Sequence, residues 1–250
     1  MTSVLGVDGW RGAWVAARVS WSDGEDGEDG DDGEDGEVGK VGKVGKVGDG
    51  PARFLGWGAG RFAALLDEDD RVIAVDMPIG LPERGRRRCD VAARDVLRPA
   101  GSRVFAVPAH GAWAAEDLGA ANRWLRSAGE PGMSAQAFAL RAAIAEVAAH
   151  ASDPRLVEVH PELAFVELSG EVLPAKKTAQ GVARRIRALD GWVDVLGALA
   201  SAPPRVPIDD ALDALAAAWT AARVAAGTSR TFPADGGDLD GAGRRMCIYA

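Results

Sequence analysis

The alternation of apolar and polar residues divides the chain into a strand-rich start, a helical middle and a long alanine-rich helix near the end. Residues 3–9 (SVLGVDG) and 13–21 (AWVAARVSW) read as strands joined by the turn GWRG, and 52–58 (ARFLGWG) as a third, predicting an antiparallel meander with a lengthened second connection. Apolar residues then recur at helical spacing over 61–70 (RFAALLDEDD). The run RVIAVDMPIGLP (71–82) is apolar through VIAV and is stopped by two prolines, as expected of a central strand covered on both faces. From Glu83 to Ser152 the pattern is mostly helical, over 86–97, 114–128 and 134–151, with proline and glycine segments between. LVEVHPE (156–162) predicts a fifth strand ended by Pro161, and helices follow at 178–190 and 192–200. The final helix lies in 202–227, with Pro207 at its start, acidic residues in its first turn and Gly227 as its stop, and the tail RRMCIYA offers one more short strand.

Composition adds limits to this outline. Of the 250 residues 47% are hydrophobic, enough for a real core in one large domain or two small ones, and no run is long enough for a membrane span. MTSVLGVDGW lacks the basic and apolar regions of a secretion signal, so a cytoplasmic protein without a membrane partner is expected. Cys89 and Cys247 are far apart, with neither a disulfide framework nor zinc spacing around them.

The net charge of −8 belongs to one segment. Residues 22–50 hold eleven acidic residues and three lysines, which leaves 26 basic and 26 acidic residues for the rest of the chain. Glycine occupies every third position from Gly24 to Gly48, without the proline a collagen helix needs. A solvated, disordered acidic insert is expected, since it has no apolar face to offset its entropy and repulsion; an acidic calcium loop is the sharper alternative, although no EF-hand pattern is present.

Carboxylates stand at positions where apolar residues would be expected. Asp8 closes the first strand and Asp76 the fourth, at the rim of a sheet where ligands bind; Asp8 before Gly9 is equally an ordinary turn residue. Asp210 and Asp213 are three apart, on one face of the final helix. Asp209 and Asp210 also suit a helix start, but Asp213 lies deeper, between Leu212 and Ala214. The many alanines of that helix allow its backbone to approach the sheet and carry Asp210 and Asp213 toward Asp8 and Asp76. An all-oxygen set of this kind suits magnesium, and two such ions can drive phosphodiester cleavage.

Glu158 is a fifth candidate, placed to approach the ions, to orient a ligand or to face solvent; His160 and Glu162 flank Pro161 beside it. The cluster Arg84, Arg86, Arg87 and Arg88, with Arg94 beyond, is either a phosphate-binding set or a solvated helix face, and Lys176 and Lys177 form a second basic spot. No P-loop and no serine–histidine–aspartate order occurs.

Taken together, GVDGWRGAW, VDMPIGLPERGRRRCDVAARDVL, SRVFAVPAH, VEVHPELAFVELSG and DDALDALAAAWTAAR resemble the DUF429 family of predicted nucleases, over nearly all of the chain outside 22–50. The final helix also resembles that of RuvC-type Holliday junction resolvases. The resemblance implies an α/β, ribonuclease H-like fold: a mixed five-stranded sheet, its first three strands antiparallel, flanked by helices, with a helical insertion before the fifth strand. It implies Asp8, Asp76, Asp210 and Asp213 as ligands of magnesium or manganese, with Glu158 in a family block; on the nuclease reading, arginines of the basic cluster such as Arg87, Arg88 and Arg94 would position the nucleic-acid backbone. Trp10 departs from the small residue or cysteine of many relatives, and its indole would narrow access.

The function expected is therefore metal-dependent cleavage of nucleic acid, DNA or RNA. A nuclease-like module without activity fits the near-neutral charge outside the insert. A phosphotransferase of the actin and sugar-kinase type shares a first loop like GVDG, but no second phosphate loop accompanies it.

Overall fold

In the computed structural model, which describes residues 2–21 and 51–250, strand β1 (Thr2–Trp10) turns back at once into β2 (Ala13–Trp21). The turn needs two consecutive residues in the left-handed region, Arg11 at φ 49° and Gly12 at φ 76°, and this two-residue geometry matches the twist of the paired strands. β3 (Arg53–Gly60) adds antiparallel to β2. The acidic insert expected at 22–50 lies outside the described residues.

β4 (Asp70–Val75) and then β5 (Leu156–Glu158) lie parallel to β1, giving one five-stranded mixed sheet in the order β3-β2-β1-β4-β5. The helix expected at 61–70 is reduced to a single turn at Phe62–Ala64. Arg18 accounts for the difference: its guanidinium bonds the Leu65 carbonyl and pairs with the Asp70 carboxylate at 2.7 Å, drawing Asp70 into the strand.

Between β4 and β5 lie α1 (Arg88–Val96), α2 (Leu118–Ser127), α3 (Ala135–Ala139) and α4 (Arg141–Ala148), where the predicted helix at 134–151 is broken at Leu140. After β5 come α5 (Pro161–Ser169), α6 (Ala179–Leu189), α7 (Val195–Ala200) and α8 (Ile208–Ala225). α5 was not expected, because Pro161 reads as a strand stop; it occupies the first helical turn, where its missing N–H costs nothing. β6 (Thr231–Phe232) and β7 (Ile248–Tyr249) form a two-stranded sheet, and Tyr249 also bridges to Val159 just beyond β5. Among the described residues no helix is long and apolar enough to cross a membrane.

The period-2 alternation of the strands sends side chains to two cores. Val4 of β1, Val15, Ala17 and Val19 of β2, and Val72 and Ala74 of β4 pack with the alanines of α8. Leu5, Val7, Ile73 and Val75 face the other way, against Ile144 and Val147 of α4. Gly6 shares the α8 face with Val4 and meets the helix backbone directly. A methyl group built there would stand 2.0 Å from the Ala218 nitrogen and 2.2 Å from the Ala214 carbonyl oxygen. Neither group is a movable side chain, so the whole helix would have to shift.

Replacing Gly6 by alanine is expected to lower unfolding stability by about 3 kcal/mol, the upper range for overpacking a core. The comparison is Gly9→Ala, where the added methyl group meets nothing closer than Met77 Cε at 3.8 Å. Equal urea midpoints for the two variants would show that α8 does not depend on this contact.

Candidate functional site

The strand register sets the first two carboxylates side by side. Gly6 pairs with Ala74 and Val7 with Val75, and the Asp76 N–H donates to the Val7 carbonyl at 2.9 Å, so Asp76 leaves β4 alongside Asp8. Both fall on the face covered by α8, by alternation from Gly6 and Ala74. Asp213 immediately precedes Ala214, one of the residues seated on Gly6, so the close contact also delivers its carboxylate. Asp8 and Asp213 are buried, at 6% and 3% exposure.

The electrostatics agree with this convergence. Burial pushes the Asp8 carboxyl well above its ordinary range, and the charges of Asp213 and Asp76 push it further, against the opposing pull of Lys176. Asp76 is raised to about 7, mainly by burial, with Lys176 pulling it down and Glu162 adding to the rise. Asp213 is raised to about 6 by burial despite Lys176, with Asp76 and Glu162 adding to the rise. Asp210 is a weaker member: half-buried at the rim, it is raised by burial and by Asp209 and countered by Lys176, Lys177 and Arg11.

One lysine answers this charge. Lys176, from the loop between α5 and α6, donates from Nζ to Asp213 Oδ2 at 2.6 Å and lies 3.9 Å from Asp209 Oδ2. Burial opposes its charge, but Asp213, Asp8 and Asp76 hold its pKa above the ordinary value. Among the described residues no three or more histidine, cysteine, aspartate or glutamate side chains are grouped so as to hold a metal ion as they stand.

Two cavities adjoin the carboxylates. One, of about 210 Å³, touches Asp8, Asp76 and Glu158; the other, of about 400 Å³, touches Asp76, Lys176, Lys177 and Asp213. Arg103 and His160 line both. Arg103 is fixed through Nη1, which donates to Glu162 Oε2 at 2.9 Å and to the Leu173 carbonyl at 2.8 Å, while Arg185 holds the other Glu162 oxygen at 2.7 Å. His160 is kept toward its neutral form by burial, and its Nδ1 has no hydrogen-bond partner among the described residues.

Glu158 lines the smaller cavity together with Asp8 and Asp76, but reaches it from the other face of the sheet. It pairs in register with Val75, and alternation therefore turns its side chain to the opposite face of the sheet from Asp8 and Asp76. There Arg87 binds both of its oxygens at 2.7 Å, and the Ile79 N–H donates to Oε2 at 2.7 Å. Arg87, 1% exposed, also bonds Asp90, which accepts from the Val107 N–H at 2.9 Å. Arg87 is thus the centre of a buried ionic hub that ties two loops and the start of α1 to the end of β5.

The other arginines expected on a substrate are dispersed as well. Arg88 is exposed and pairs with Asp235 at 2.6 Å, and Arg94 donates to the Val104 carbonyl at 2.8 Å beside a separate cavity with Arg86 and Glu130. Arg103 is the guanidinium that lines both cavities at the aspartates, whereas Arg87 touches the smaller one while held in its hub. Arg103 lies in the Pro/Gly segment SRVFAVPAH, where no periodicity or charge cluster marks it.

A family model described as "Protein of unknown function (DUF429)" matches residues 6–237. No curated protein and no solved structure matches the chain.

Without added metal, stability is expected to fall as pH rises from about 4 to 7. Asp213 and Asp76 keep protons up to about 6 and 7 in the folded state, whereas the unfolded chain releases them near 3.8. Their favourable contribution is complete below the unfolded value and lost as pH passes the folded ones. Urea midpoints measured in EDTA should show this decline and a shallower one for Asp76→Asn; coincident profiles would exclude the buried pair as its source. Separately, Arg87→Met should cost about 3 to 5 kcal/mol, because the Glu158 and Asp90 carboxylates are left buried without their cation. A loss below about 1 kcal/mol in chemical denaturation would remove the hub from the account.

Proposed function

Since the chain belongs to the DUF429 family, whose model takes in every aspartate from Asp8 to Asp213, we propose that it is a ribonuclease H-like hydrolase that cleaves phosphodiester bonds of nucleic acid with magnesium or manganese. The observation that carries this reading is the meeting of buried Asp8 and Asp213 with partly buried Asp76 on one face of the sheet, mutually repelling, with Lys176 as the cation among them. The β3-β2-β1-β4-β5 order, with its antiparallel first three strands and α8 across one face, supports the fold assignment.

The donor set suits a hard divalent ion. It consists of carboxylate oxygens, its burial leaves excess negative charge, and it opens onto cavities with room for water and a phosphate. Asp8, Asp76 and Asp213 would hold the ion, with Asp210 at the rim as an outer carboxylate. When bound, a divalent ion activates water for attack on phosphorus and stabilises the charge that develops on the leaving oxygen. The protein supplies position: Arg103, aimed by Glu162, and Lys177 offer donors to the oxygens of a phosphate in the larger cavity. Glu158 and Arg87 stay outside the chemistry and brace the loop that follows Asp76.

The test is a cleavage panel of single-stranded, duplex, hybrid and branched substrates with magnesium or manganese. Cleavage should require the metal and stop in EDTA. Asp76→Asn and Asp213→Asn should each lower it by about 100-fold or more, since even outer-shell changes cost 10- to 100-fold. Unchanged rates in both variants would overturn the assignment. Binding of manganese and nucleic acid without cleavage would instead identify a nuclease-like interaction module.

A further inference from the structure

We infer that Lys176 is a tethered counter-ion that a divalent cation displaces from Asp213, and that the displaced ammonium then binds a phosphate of the nucleic acid in the adjoining cavity. The inference rests on the metal reading above and adds an exchange of partners by one side chain.

Three observations lead to it. First, the ammonium lies 2.6 Å from Asp213 Oδ2, on a carboxylate assigned to the metal, so the two cations compete for the same oxygens. Second, the side chain can move while its loop stays. The Pro174 carbonyl accepts from Arg185 Nη1 at 2.8 Å, and the Ala175 carbonyl accepts from the Thr178 N–H at 3.0 Å, which pins the backbone on both sides of Lys176. The Lys176 side chain remains 34% exposed, with a four-carbon stem to swing on. Third, the space beside it is the cavity of about 400 Å³ that also holds Arg103 and Lys177, so the released ammonium completes a set of three cations there. In that position it is paired with a phosphate, and the carboxylates are paired with the ion, so neither cation is left without an anionic partner. Metal binding and substrate binding then favour each other, because each removes a competitor of the other.

The first experiment titrates manganese by electron paramagnetic resonance into the full-length protein and its Lys176→Met, Lys176→Gln and Lys177→Met variants. Both neutral Lys176 variants should bind manganese tenfold or more tightly than the wild type, and Lys177→Met within twofold of it. A merely structural lysine would give the opposite sign, since its loss would disorder Asp213 and weaken the metal. The second experiment needs no variant: acylation of Lys176 by an amine-reactive ester, followed by mass spectrometry, should rise several-fold on adding manganese while labelling of Lys177 stays constant. With calcium replacing the active metal, the Lys176 variants should bind a DNA duplex more weakly, and the slope of log affinity against log salt should shrink by about 1.

Manganese affinity that is unchanged or weaker in both Lys176 variants, or labelling that manganese does not raise, overturns the exchange while leaving the metal site intact. Absence of manganese binding in wild type and variants alike overturns the metal reading itself, and the exchange with it.

Discussion

The backbone of α8 rests directly on β1 at Gly6, and the remainder of the site is arranged around that contact. A helix normally stands off a sheet because side chains keep the two backbones apart. Here a glycine on the strand and alanines on the helix remove the spacers, so the peptide groups of Ala214, Ala217 and Ala218 become the contact surface. The absence of side chains at this point fixes the register of helix against strand. Asp8 is two residues along β1 from the contact and Asp213 is one residue before it on α8. Their meeting thus follows from the steric constraint, and the strand pairing of β1 with β4 adds Asp76.

The cluster so formed is electrostatically unfavourable by itself. Three carboxyl groups are wholly or partly removed from water into one another's fields, and among the described residues Lys176 is the charge that opposes them. Such an arrangement costs folding free energy, and its persistence depends on an otherwise well-satisfied frame. The frame supplies it on the opposite face of the sheet: Arg87 gathers Glu158 and Asp90, which in turn accept from the Ile79 and Val107 N–H groups. The two sets of buried charges differ in kind. Around Arg87 the hydrogen-bonding capacity is used up within the protein, whereas around Asp8 and Asp76 charge is left over for something outside it.

Much of this was legible in the sequence wherever a residue broke the pattern around it. Asp76 ends the apolar run VIAV and Asp213 interrupts a stretch of alanine and leucine, and both lie where the structure gathers them. The alanines themselves indicated close helix-to-sheet packing. What stayed hidden depends on relations the chain cannot express locally. β5 has only three residues, too few for alternation to reveal that Glu158 lies on the other face of the sheet from the aspartates. The arginines from 84 to 88 look like one feature in sequence, yet the structure sends Arg87 into a buried hub and Arg88 to the surface. Arg103 gave no signal because its position comes from Glu162 and Leu173, distant in sequence. α5 was missed because a proline that ends a strand is also well suited to begin a helix.

The antiparallel pairing of β1 with β2 has a further consequence. Asp8 lies opposite Val15, while Trp21, where β2 ends, lies opposite Thr2, and β3 begins at Arg53 opposite Ser20. Both anchor points of the 22–50 segment are therefore at the pole of the sheet remote from the carboxylates. Lengthening a connection adds little entropic cost beyond its first few residues. That junction is a permissive seam of the architecture: segments of different length and composition can be spliced between β2 and β3 without disturbing the spacing of Asp8, Asp76 and Asp213.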